Sequence, residues 1–185
     1  MTLELVRGNL ALVEPAERFE ADYRAMLDEY CQYGEIFDRR KEQYLANYSE
    51  YLRRLREESA GVGLPAGMAP QTTVWLVAND STIVATARLR HHLNDELLHE
   101  GGHIGYNVRP SRRNHGFGTA VCALALEWHR RKGLTRVLIT CDTDNAASAR
   151  IIQKNGGKFE NEVTSHWSGK PVSRYWVCLS DETNA

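Results

Sequence analysis

Ile104-Gly-Tyr-Asn-Val-Arg-Pro-Ser-Arg-Arg-Asn-His-Gly-Phe-Gly-Thr119 changes character twice within sixteen residues. It begins as a strand, breaks at Pro110 into a turn rich in arginine and glycine, and opens an amphipathic helix near Gly116. A helix start offers several backbone N–H groups without intrahelical partners and roughly half a unit of positive charge, which a phosphate satisfies. Gly116 and Gly118 carry no Cβ, so the chain turns sharply there and a ligand comes close to the backbone. Arg112, Arg113 and His115 add side-chain charge, and the arginine fork matches phosphate oxygens in pairs. The segment therefore reads as an anion cradle. A lone Gly-x-Gly is as readily an ordinary strand-to-helix connection, but the preceding Val-Arg-Pro and the following apolar stripe favour the cradle.

Two well-known phosphate loops can be tested on the same residues. A P-loop needs Gly-x-x-x-x-Gly-Lys-Ser/Thr, and no lysine follows Gly118. The dinucleotide fingerprint Gly-x-Gly-x-x-Gly needs a third glycine where Val121 stands, although Asp142 lies near the distance at which that motif places its acid. The second loop is weakened and kept as an alternative.

The spacing Arg113-x-x-Gly116-x-Gly118, with Val108-x-Pro110 before it, resembles the Arg/Gln-x-x-Gly-x-Gly/Ala motif of GNAT-type N-acetyltransferases. The resemblance continues through Arg136-Val-Leu-Ile-Thr-Cys-Asp142, Asn145-Ala-Ala-Ser148, Ile151 and Lys154-Asn155-Gly156-Gly157, and Arg174-Tyr175-Trp176-Val177 looks like the family's last strand. It covers about residues 72 to 180, with specific spacing between 104 and 157. The runs Arg88 to Asn94 and Gly101 to Tyr106 are also similar to a bacterial subgroup of predicted acetyltransferases. The family implies an α+β fold of mixed layers, with a central twisted, mostly antiparallel sheet of six to seven strands flanked by helices. It also implies acetyl-CoA as cosubstrate and an amine as acceptor.

The rest of the chain bounds this reading. Its 185 residues suffice for one domain, with a helical part at about 15–58 and an acyl-CoA-binding core at about 72–180. A formal net charge of −1 argues against nucleic-acid or membrane-binding surfaces. Cys31, Cys122, Cys141 and Cys178 are scattered without disulfide or metal-ligand spacing, so reduced thiols and no bound metal are expected. Neither a signal pattern nor a long apolar run is present, and a cytoplasmic location is expected. A homodimer is left open.

Local patterns predict the elements. Leu10 to Val13 reads as the first strand, followed by a helix from Pro15 to about Tyr33 and a second from an Asp38 cap, with Tyr44, Leu45, Tyr48, Leu52 and Leu55 on one face, to about Glu58. Residues 59–71 read as a Gly- and Pro-rich loop bordering the substrate. Thr72–Val77 and Thr82–Arg90 form a hairpin, and residues 91–101 a longer connection leading to a strand at Gly102–Val108. A helix over 116–132, a strand at Val137–Thr140, a helix over Asn145–Asn155 and a hairpin of Lys158–Thr164 with Val172–Leu179 complete the order.

On the resemblance, the coenzyme A pyrophosphate lies on the backbone of Asn114, His115, Gly116, Phe117, Gly118 and Thr119, with Arg113 beside it. The pantetheine arm runs along Tyr106, Asn107 and Val108, and Gly105 permits the local bulge that such an arm needs. Asn145, a helix cap, and Ser148 also bond the arm, and the N–H of Asn107 or Val108 faces the oxyanion. Acetyl transfer needs a base for the ammonium and an acid for the thiolate. The family's usual acid, a tyrosine seven residues after the asparagine, is Ile152 here, and a common base position is Thr140. His103 is the first candidate base, with Tyr106, Glu100 and Asp142 behind it, and Tyr175 could reach the site from the last strand. Cys141 has no basic partner nearby and reads as a thiol rather than a nucleophile. Arg88 and Arg90 share a strand face and, with His91 and Asn94, are assigned to substrate recognition. The expected function is direct acetyl transfer to an amine of a small molecule or protein. A non-catalytic acyl-CoA-binding module and a nucleotide-dependent oxidoreductase are the alternatives.

Overall fold

The computed structural model describes residues 4–35 and 46–180. Strands β1 (Glu4–Arg7), β2 (Leu10–Val13), β3 (Gln71–Ala78), β4 (Thr82–Arg90) and β5 (Ile104–Val108) form an antiparallel sheet in that order. Strands β6 (Arg136–Asp142), β7 (Lys158–Thr164) and β8 (Pro171–Cys178) form a second sheet in the order β6-β8-β7. Helices α1 (Glu20–Gln32), α2 (Tyr48–Ala60), α3 (Phe117–Arg131) and α4 (Ala146–Lys154) flank them. The expected fold of mostly antiparallel strands flanked by helices is present, and among the described residues its strands number eight in two sheets rather than six to seven in one, β1 having escaped the sequence reading.

Strand β3 shows why the larger sheet is covered on both faces. Its run Val74 to Ala78 is buried throughout, and the period of two sends Val74, Leu76 and Ala78 to one face and Trp75 and Val77 to the other. The first face packs on α3 through Val121, Ala125 and Trp128. The second packs on α1 and α2, where Tyr23 stacks between Trp75 at 4.8 Å and Tyr51 at 5.5 Å. Helix α2 starts at Asn47, whose side chain accepts the Glu50 N–H at 3.0 Å. The expected Asp38 cap, Tyr44 and Leu45 lie outside the described residues.

Among the described residues, the backbones of the two sheets bond at one point. His103 donates its backbone N–H to the Leu138 carbonyl at 2.7 Å, and Leu138 returns its N–H to Nδ1 of the His103 ring at 2.9 Å. Gly102 makes this approach feasible: it has φ +62, and a Cβ there would stand 2.8 Å from the Leu138 carbonyl oxygen. Beyond this anchor β5 pairs only with β4, in a regular register from Leu89↔Ile104 to Ala85↔Val108. Its other edge faces the seam between the sheets.

Candidate active site

The turn that leaves β5 is fastened from below. Arg109 is buried, and its guanidinium donates to Glu29 at 2.7 Å and to Asp22 at 2.8 Å, both on α1. Asp22 also takes the Ile83 N–H at 2.6 Å, and Glu29 the Ser111 N–H at 3.3 Å. A buried arginine with two carboxylates holds the turn in one place, because losing a partner leaves an uncompensated charge. The sequence reading passed over Arg109, although its place inside Val-Arg-Pro marks the last residue before the turn.

Pro110–Arg112 forms a short 3-10 turn, Asn114 and Gly116 adopt left-handed backbone with φ of 63° and 83°, and α3 follows. The Ala120 N–H bonds to the Gly116 carbonyl at 3.1 Å, so the N–H groups of Phe117, Gly118 and Thr119 precede the first intrahelical bond. Gly118 serves packing as well. A Cβ there would sit 2.5 Å from the Ile151 terminal methyl and 3.4 Å from Val108, so a larger residue would push the Ile151 side chain aside where α3 meets α4. Arg113 is paired with a carboxylate of its own chain. Its two terminal nitrogens pair with the Glu35 carboxylate at 2.6 and 2.7 Å, and that pairing holds the carboxyl below its usual range. His115 turns Nδ1 to the Arg113 carbonyl at 2.6 Å, and Arg112 is exposed.

Across the seam, the Tyr106 hydroxyl lies 2.8 Å from Ser148 Oγ, joining β5 to the start of α4. Asn145 caps that helix by accepting the Ser148 N–H at 3.0 Å. Burial pushes the Tyr106 phenol above its ordinary value, so it stays protonated. Ile152 is fully buried in the core.

Beside the seam lies a cleft of about 340 Å³ lined by Glu100, Thr140, Cys141, Asp142, Ser165 and Trp167, among others. Glu100 is the informative member. It is 5% exposed, and its carboxylate accepts the His166 N–H at 2.7 Å while its carbonyl takes the Thr140 hydroxyl at 2.7 Å. It sits in a single π-turn, Leu97–Gly101. Arg90 holds that turn by donating to the carbonyls of Gly101 at 2.6 Å and Gly102 at 3.2 Å. Asn94 accepts the Leu97 N–H at 2.8 Å and donates to the Gly67 carbonyl at 2.6 Å.

These contacts place the four residues expected to recognise substrate. Arg90 and Asn94 are committed to the backbone around Glu100, and His91 bonds Thr72 at 2.8 Å beside the Trp128 ring. Arg88 alone of the four is exposed. Gly105 makes no bulge. A Cβ there would meet only the Arg90 guanidinium, at an ordinary contact distance of 3.7 Å, and the pairing with β4 is regular.

His103, the first candidate base, stands at the anchor. Burial lowers its pKa to about 4, aided by the neighbouring His129, and Nδ1 already accepts the Leu138 N–H. With that lone pair used, the ring forms part of the anchor between the sheets. Tyr175 lies in the core, its ring edge-on to Phe159 at 5.6 Å. Burial also raises the Cys141 thiol, which keeps it protonated.

Residues 14–158 match the family model described as an acetyltransferase (GNAT) domain. The chain belongs to this family. It is an acetyl-CoA-dependent N-acetyltransferase, the reading that the Arg113 to Gly118 spacing had suggested. Solved structures share the fold at low identity. RimJ of Mycobacterium smegmatis, in complex with CoA-disulfide, aligns with a TM-score of 0.73 at 14% identity over 100% of this chain and 90% of its own. The microcin C7 self-immunity acetyltransferase MccE, in complex with acetyl-CoA and AMP, aligns at 0.66 and 13% identity over 94% of each chain. A chimera of the spermidine N-acetyltransferase SpeG from Vibrio cholerae and hSSAT aligns at 0.64 and 13% identity over 92% of this chain and 96% of its own. No curated protein matches the sequence significantly. No helix among the described residues is long and apolar enough to cross a membrane.

Proposed function

We propose that this GNAT acetyltransferase holds acetyl-CoA along the free edge of β5 and transfers the acetyl group directly to a primary amine in the cleft at Glu100. The observation that carries the reading is the parting of the sheets beyond the His103–Leu138 anchor, which leaves the Tyr106–Val108 edge bare between the glycine turn and the cleft. An extended, amide-bearing arm pairs with such an edge as an added strand would. The backbone of Asn114 to Thr119 receives the pyrophosphate, and the N–H of Asn107 or Val108 the oxyanion. RimJ and MccE are described with CoA-disulfide and acetyl-CoA, which supports the same cosubstrate here.

Glu100 takes the proton that the ammonium must lose. A buried carboxylate fixed by one N–H and facing a cleft is suited to that work, and Asp142 at the rim supplies a second negative charge to draw a cation in. The Tyr106 hydroxyl, kept protonated, donates to the departing sulfur in place of the tyrosine that Ile152 displaces. The protonated Cys141 favours direct transfer over an acetyl-cysteine intermediate. The acceptor is a small-molecule or protein amine slender enough for the cleft.

The test separates binding from transfer. Calorimetry should show coenzyme A binding to the wild type and at least roughly tenfold weaker binding to Gly116→Val, whose side chain meets open space but strains a left-handed residue. Thiol release should then be followed across polyamines, amino acid amides and peptides with free N-termini. Unchanged affinity in the variant would sink the cradle, and binding without turnover on any amine would favour a non-catalytic acyl-CoA module.

A further inference from the structure

The π-turn before β5 and the turn joining β7 to β8 bring together His99, Glu100 and His166, with one ligand atom of each within 4.8 Å of the other two. The two imidazoles stack face to face, centroids 4.0 Å apart and planes 15° from parallel. Nε2 of His99 lies 3.0 Å from the Thr164 carbonyl. A carbonyl only accepts, so Nε2 carries the proton and the lone pair falls on Nδ1. Proteins orient a metal-binding imidazole in this way, by tying the distal N–H to a carbonyl. Glu100 brings a buried carboxylate that accepts the backbone N–H of His166 itself.

We propose that His99, Glu100 and His166 bind a divalent transition metal of the zinc class, and that the bound metal inhibits acetyl transfer. Two imidazoles and one carboxylate are a donor set that selects zinc over magnesium or calcium, which prefer all-oxygen ligands. Ligand atoms around tetrahedral zinc at roughly 2.0–2.2 Å stand about 3.4 Å apart. The present spacing closes by a side-chain rotation, which His166 is free to make because it is exposed on a turn. A fourth position is left for water or an anion. The inhibitory half rests on the proposed role of Glu100, since a carboxylate lone pair bound to a metal cannot accept a proton from an amine.

Equilibrium dialysis of the full chain against zinc, followed by metal analysis, tests the site without reference to catalysis. About one equivalent should bind the wild type, cobalt should give the intense visible bands of a tetrahedral site, and His99→Ala/His166→Ala should bind at least roughly tenfold more weakly. The exposed Cys31 and Cys178 persist in that variant, so undiminished binding to it would overturn the proposal. If the double variant fails to fold, His166→Ala alone carries the same reading. In the acetylation assay, saturating zinc should suppress the wild-type rate and spare His166→Ala relative to its own metal-free rate. No suppression in the wild type, or equal suppression in both, would overturn the inhibitory half. Coenzyme A calorimetry and metal-free turnover stand apart from these arms. A chain that binds zinc at the histidines but transfers no acetyl group loses the role of Glu100 and keeps the metal site.

Discussion

The cradle and the acceptor cleft are neighbours built in opposite ways. The cradle is one continuous run, Val108 to Thr119, in which every conformational requirement falls on a residue that states it: proline at the break, Asn114 and Gly116 at positive φ, glycine where α3 meets α4. The cleft is assembled from a π-turn, the C-terminal end of β6 and the β7–β8 turn, and its central contact joins Glu100 to His166 across 66 residues. Local chemistry is legible in sequence, whereas a site formed by the closure of distant turns is not.

The sharpest way to break that contrast is Glu100→Gln. The two regions have separate tasks, so this variant should lower kcat by about 10²–10³ and leave coenzyme A affinity unchanged. Steady-state kinetics and calorimetry on one preparation decide it. A parallel fall in cofactor affinity would mean that cleft and cradle are not independent, and an unaffected kcat would move the base elsewhere, Asp142 being next.

Particular residues show how far the sequence carried. The boundaries of β4 and β7 and the positions of α3 and α4 were readable because each combines a strong period with a cap or turn residue. The division into two sheets was not readable, because it depends on one backbone bond at His103 and on Gly102, whose close approach to Leu138 has no local signature. The contacts of Arg90, His91 and Asn94 were hidden for a related reason. Polar residues on an edge and its following connection suggest recognition, and only the fold shows that Arg90 and Asn94 bond backbone groups of the turn carrying Glu100 while His91 bonds Thr72 on β3. The same turn hid the His99, Glu100 and His166 cluster, since its third member arrives from another hairpin.

The seam between the regions gives a second test. Burial depresses the His103 pKa from 6.5 to about 4, and His129 and His91 shift in the same direction for the same first reason. Between these values the unfolded chain binds a proton that the folded chain refuses, so stability is complete above pH 6.5 and is lost as pH falls toward 4. A shift of that size corresponds to about 3 kcal/mol. Thermal unfolding should show Tm falling across this window, with a shallower fall in His103→Asn, whose Oδ1 can take the Leu138 N–H without titrating. An identical slope in the variant would exclude His103 as a source and leave the anchor insensitive to acid.

The smallest effect should separate position from chemistry at the point where the two regions touch. Tyr106 belongs to the cofactor edge by its backbone and to the reaction by its hydroxyl, which meets Ser148. Tyr106→Phe keeps the ring and its packing, so coenzyme A affinity should hold while kcat falls about tenfold, the scale of one lost hydrogen bond to a charged group. Ser148→Ala distinguishes the two ways in which that loss could arise. If the phenol donates to the departing sulfur, freeing it from Ser148 should leave most of the rate. If the pair only braces α4 against β5, the serine variant should match the phenylalanine variant, and the missing family tyrosine would have no substitute on β5.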